Sequence, residues 1–122
     1  MQPTNVMLQP NQVATVFENI FVYNWDIRPS TLNLATCTPN NAGMDSLDTM
    51  ETLITLENKF GIKISNEEGY ALMHAPLGNM LNICTKKLVE NNRLTASDAK
   101  IVMTNYAKLV KQNVAKINQK QK

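Results

Sequence analysis

At 122 residues and 43% apolar, the chain fits one domain with an appended element, and its scarcity of glycine (four) and proline (five) favours helices over a turn-rich β fold. Its two cysteines, Cys37 and Cys84, lie far apart, which argues against a disulfide framework or a C-x-x-C metal site and for two reduced thiols. The net charge of +2 is uneven: residues 11–90 carry nine acids and five bases, and residues 91–122 one acid and seven bases. An acidic body with a basic tail implies two surfaces with different partners, or a tail that folds back on the body.

Residues 1–10 are polar, contain two prolines and are expected to be disordered. They lack a basic region followed by an apolar run, and no stretch of the chain reaches membrane-spanning length, so a cytoplasmic protein is expected. Asn11 is a suitable N-cap for a first helix, in which Val13, Val16, Phe17, Ile20 and Phe21 form one apolar stripe. That helix should end near Trp25, ahead of Arg28-Pro29. A long connection from Asp26 to Gly43 follows, with Ile27, Leu32 and Leu34 as its anchors to the core.

A second helix is expected from Ser46 to Phe60, capped by Asp45 or Ser46 and closed by Gly61. Its apolar positions cover about half the circumference. Leu53, Leu56 and Phe60 form one flank, while Leu47, Met50 and Ile54 form another, with Glu57 between them and Glu51 at the outer edge. One flank suffices for a core, so the other reads as a partner surface; the plain alternative buries both between neighbouring helices. Ser65-Asn66-Glu67-Glu68 is a capping box opening a short third helix. Pro76 suits the first turn of a fourth, striped by Leu77, Met80, Leu81, Cys84 and Leu88. Thr95-Ala96-Ser97-Asp98 opens a fifth helix reaching towards Ile117.

The run Gly43-Met44-Asp45-Ser46-Leu47-Asp48-Thr49-Met50-Glu51 is similar to the attachment motif of acyl carrier proteins, G-x-D-S-L-D-x-x-E. Downstream, Leu56-Glu57-Asn58-Lys59-Phe60 followed by Ile62 and Ile64 resembles the family's L-E-x-x-F end of the second helix. The resemblance covers residues 11–88 and implies an all-α, four-helix acyl-carrier-type bundle with a long first loop, here joined by an additional C-terminal amphipathic helix. It divides the chain into a disordered N-terminus (1–10), a carrier domain (11–90) and a basic helical extension (91–122).

The family's role, carried onto matching positions, makes Ser46 the attachment point of a phosphopantetheine arm, installed by a phosphopantetheinyl transferase. Ser46 would then be a tether, and the chain a non-catalytic carrier presenting thioester-bound acyl intermediates to acyl-chain synthases and acyltransferases. Asp45, Asp48, Glu51 and Glu57 match positions that meet basic patches on partner enzymes, and Leu47, Met50 and Ile54 would supply apolar contact beside the arm. For Ser46 alone the plain reading is an N-cap, and for each carboxylate a solvated helix face.

The chain departs from the family in Cys37-Thr38-Pro39-Asn40-Asn41-Ala42, where an acidic, leucine-containing loop is usual. Asn58 and Lys59 replace common acids, and Gly69-Tyr70 interrupts the usual acidic third helix. The C-terminal extension is a further departure. Val102, Met103, Tyr106, Leu109, Val110 and Ile117 form its stripe, with Lys100, Lys108, Lys111 and Lys116 mostly on the polar side. Packing on the body is the default expectation; pairing with a second copy or a partner helix, or weak contact of the basic tail with an anionic membrane, are the alternatives. Nucleic acid is not an expected partner, since the bases lack arginine and aromatic enrichment.

His74 is the single histidine, without a second histidine or an adjacent Cys/Asp cluster to form a metal site. No serine sits in a nucleophile-elbow pattern, and no glycine-rich phosphate loop is present. The seven methionines read as adaptable core and interface filler. The alternative function, from a different class, is an unmodified carrier-like interaction protein that docks a partner through its second helix.

Overall fold

The computed structural model describes residues 7–106. They are all-α, with no strand among them, and comprise α1 (Pro10–Trp25), a 310 turn (Pro29–Thr31), α2 (Ser46–Phe60), α3 (Asn66–Met73) and α4 (Gly78–Glu90). A fifth helix, α5, covers residues 96–106. The expected contributions of Lys108, Leu109, Val110, Lys111, Lys116 and Ile117 lie outside the described residues.

α1 begins two residues earlier than Asn11 as its N-cap implies: Gln9 is the cap, and Pro10 occupies the first turn, where a missing N–H costs nothing. The box that closes this end is made by glutamine, as the Gln9 N–H donates to Gln12 Oε1 at 2.7 Å. The preceding segment is not wholly free, as the disorder expected of residues 1–10 required. The Leu8 N–H donates to the Arg93 carbonyl at 2.8 Å, and Leu8 packs on the core. At the other end, Asp26 takes a left-handed φ of 55°, and the Ile27 N–H reaches back to the Phe21 carbonyl, stopping the helix at Trp25.

α4 also starts differently from the sequence expectation. Pro76 lies outside it, and the helix opens at Gly78. No side chain caps this end. The Leu77 N–H donates to the Cys37 carbonyl at 2.7 Å and the Gly78 N–H to the Leu34 carbonyl at 2.8 Å, so the long connection satisfies the helix's first donors. The backbone approach is close enough to require glycine: a Cβ on Gly78 would lie 2.7 Å from the Leu34 oxygen.

The connection over 26–43 is thus held at several points. Leu34 and Pro29 are buried, Ile27 and Leu32 half-buried against the core, and Glu18 of α1 accepts both the Ser30 N–H (3.1 Å) and the Ser30 hydroxyl (2.7 Å). α3 is capped as expected, with the Glu68 N–H donating to Ser65 Oγ, and is tied to α4 by the Glu68–Lys87 ion pair at 3.1 Å.

The main core joins Val13, Phe17 and Phe21 of α1 to Leu56 and Phe60 of α2 and Met80, Leu81 and Leu88 of α4. Leu94, Val102 and Tyr106 belong to the same cluster, so α5 packs on the body as part of one core with it. Tyr106 sets its ring edge-on to Phe17, at 6.0 Å between centroids and 81° between planes. Since Arg93 is level with Leu8, and Tyr106 with Ala14 and Glu18, α5 runs in the same direction as α1.

Candidate functional site

The site is built at the start of α2. Gly43 brings the chain in with a left-handed φ of 93°, a conformation that a side chain would strain although its Cβ would meet open space. Met44, next in the chain, is buried and supplies the apolar anchor that the preceding Cys37–Ala42 stretch lacks; Pro39 beside it is buried too. Asp45 is the N-cap. The Asp48 N–H donates to Asp45 Oδ1 at 2.8 Å, and the Asp45 N–H donates to Asp48 Oδ2 at 3.1 Å, a reciprocal box. Of the two expected caps the structure therefore uses Asp45, which leaves Ser46 at the first helical position with its side chain exposed.

This arrangement leaves the N–H groups of Ser46 and Leu47 without intrahelical acceptors, since the first turn of an α-helix has none to offer. Their dipoles and the helix macrodipole favour negative charge beside the Ser46 hydroxyl. The Asp45 and Asp48 carboxylates each have one oxygen engaged in the capping box.

The rotation of α2 is set by a different stripe from the one hydrophobicity alone picks out. Thr49 and Thr52 are buried with Leu53, Leu56 and Phe60. Each threonine hydroxyl donates to the carbonyl four residues back, Asp45 and Asp48 respectively, at 2.9 Å, so its polarity is consumed inside the helix. With Thr49 and Thr52 inward, the second flank turns outward: Leu47, Met50 and Ile54 are 64%, 50% and 51% exposed. The alternative in which both flanks are buried does not hold. At about 100° per residue, Ser46, Met50, Ile54, Leu47 and Glu57 share one arc of about 100°.

Beyond Met50 this arc borders an open cleft of about 340 Å³ between α2 and α3, lined by Met50, Ile54, Ile64, Gly69, Tyr70 and Met73 among others. Tyr70 stands exposed at the cleft, edge-on to the His74 ring at 5.2 Å. Glu57, expected to face a partner, has structural work as well: its Oε2 accepts the Ile64 N–H at 2.8 Å and holds the turn that closes the cleft. Glu51 is exposed at the edge of the flank.

The expected site residues thus fall together on the outward side of α2 and its cap. The residues alone give no cleft; of its lining, the Gly69-Tyr70 pair stands out in the sequence as a departure from the pattern, whereas Ile64 falls within it. Elsewhere, burial pushes the Cys84 thiol up to about 12 and raises Cys37 above the ordinary thiol range; both are free thiols. Among the described residues no group of three or more His, Cys, Asp or Glu side chains is placed to hold a metal ion. No described helix is long and apolar enough to cross a membrane.

A scan against protein-family models and searches of curated proteins and solved structures found no match to the chain.

Proposed function

We propose that the protein is a non-catalytic acyl carrier whose arm, a phosphopantetheine, is attached to Ser46. The observation that carries the reading is the exposed Ser46 hydroxyl at the first position of α2, with Met50 and Ile54 aligned beneath it and the cleft beyond. The similarity of residues 43–51 to the carrier attachment motif is the sequence support.

The residues fit the group. An exposed primary hydroxyl is open to the transferase, and the free N–H groups of Ser46 and Leu47 offset the charge of a phosphodiester there. Asp45 and Asp48 oppose that charge, but at an exposed site the repulsion is screened by salt. When bound, the arm supplies a terminal thiol that holds an acyl chain as a thioester. The apolar arc and the cleft offer that chain partial shelter, and the acids at the rim favour encounter with basic partner enzymes while keeping binding transient. Phosphopantetheinyl transferases, acyl-chain synthases and acyltransferases are the proposed partners, within a four-helix carrier bundle to which α5 is added.

Intact mass after incubation with coenzyme A and a broad-specificity transferase tests the reading. One arm-sized gain, lost in Ser46→Ala, supports it. Folded protein that gains no mass with the broad enzyme or with transferases of its own source refutes it. The exposure of Leu47, Met50 and Ile54 also favours a second reading, an unmodified protein that docks a partner through α2. In that case Leu47→Asp abolishes partner binding while Ser46→Ala leaves it intact.

A further inference from the structure

One carboxylate joins three parts of the chain. Glu18, half-buried on α1, accepts the Ser30 N–H and hydroxyl on one side and lies 3.0 Å from the Tyr106 hydroxyl on the other. The Ala14 carbonyl, at 3.1 Å, is a second acceptor within reach of the same hydroxyl. Tyr106 is 3% exposed, and its hydroxyl ties the described part of α5 to α1. Ser30 sits in the 310 turn of the connection that leads to Ser46.

We propose that α5 is a clasp on this connection, with Glu18 and Tyr106 as positioning residues that hold the turn around Ser30 and, through the rest of the loop, the approach to Ser46. The consequence at Ser46 rests on the carrier reading; the clasp itself does not. The physical basis is that a carboxylate fixed from two sides loses little further freedom in making the second set of bonds. Without the Tyr106 hydroxyl, Glu18 turns towards water and its bonds to Ser30 weaken. The loop then keeps its attachments at Leu34 and Cys37 to the start of α4 and the packing of Pro29, Ile27 and Leu32 on the core, while the Glu18 contribution at Ser30 weakens.

Hydrogen exchange on the full chain tests this with Tyr106→Phe, which keeps the ring against Phe17, with Ser30→Ala, and with the double variant. The expected result is about fivefold faster exchange over residues 28–44, the factor carried by a hydrogen bond of ~1 kcal/mol in a local opening. Exchange over 80–90, which makes no backbone bond to the loop, stays unchanged, and the double variant is no faster than the larger single effect, because both act through Glu18. Unchanged exchange over 28–44, or a rise spread evenly over the chain, overturns the clasp. The initial rate of arm attachment at Ser46 should fall severalfold in Tyr106→Phe while the final mass gain stays complete; an equal rate overturns the link to Ser46. A wild-type chain that accepts no arm refutes the carrier reading, and exchange still decides the clasp.

Discussion

The indole N–H of Trp25 donates to the hydroxyl of Thr52 at 2.7 Å, and that hydroxyl in turn donates to the Asp48 carbonyl at 2.9 Å. The last residue of α1 is thereby tied to the second turn of α2, somewhat less than two turns from Ser46. Thr52 has no exposed surface, so its hydroxyl serves these two groups alone.

Thr52→Val keeps the shape and removes the acceptor, leaving a half-buried indole N–H unpaired. Urea unfolding followed by the fluorescence of Trp25, the single tryptophan, should show a loss of about 1–2 kcal/mol. Thr55→Val is the control. Its hydroxyl bonds only to the Glu51 carbonyl of the same helix, and the change should stay within about 0.5 kcal/mol.

Gly78→Ala should have the opposite sign from an ordinary helix substitution. In a free helix the change gains about 1 kcal/mol. Here the new methyl group meets the Leu34 carbonyl oxygen at 2.7 Å and its carbon at 3.2 Å, both backbone atoms engaged in capping α4. Net destabilisation of about 1–3 kcal/mol is expected from the forced shift, read as a lower thermal midpoint.

Alkaline pH should unfold the protein through two groups. Burial, then the neighbouring Glu18 charge and the hydrogen bond to it, raise Tyr106 above the ordinary phenol range, and burial pushes Cys84 up to about 12. Both hold their protons more tightly folded than unfolded. Their stabilising contributions are complete below the unfolded values, about 8.5 for the thiol and about 10 for the phenol, and are lost as pH rises beyond them. Urea midpoints measured upward from neutral pH should fall in that range. In Tyr106→Phe the fall should be shallower at its upper end.

The two thiols should label differently in the native state. Cys37 is half-buried and open to a small disulfide reagent, slowed by its raised pKa. Cys84 is buried in the core and should react only through opening, at a rate that urea accelerates in step with unfolding. Equal rates for the two would contradict the packing of α4.

Leu47→Asp, Met50→Ser and Ile54→Ser should leave stability within about 0.5 kcal/mol of wild type, because all three side chains face solvent. Partner-enzyme turnover on the armed protein is the second readout, and it should drop severalfold. A loss of stability comparable to that of a core substitution would mean that the flank is covered in solution.

Much of the architecture could be read from residues alone. The 3.6-residue stripe of α1, a cap at Asp45 or Ser46, the box at Ser65, the stop at Gly61 and the cap at Thr95 are local devices, settled by neighbours within one turn; that Asp45 is the cap, in a reciprocal box with Asp48, came from the structure. The candidate tether at Ser46 was legible for the same reason, as an uninterrupted nine-residue pattern. What tertiary structure alone decided was the use of polar groups over long separations. Thr49 and Thr52 are core residues because α2's own carbonyls and Trp25 satisfy them, and their inward position turns Leu47, Met50 and Ile54 outward. The start of α4 is set by carbonyls of Leu34 and Cys37, about forty residues upstream. Glu18 is held by Tyr106 from the far end of the described chain. A polar residue takes its place from the partner that meets its hydrogen bond, and spacing along the chain carries no record of a partner 88 residues away.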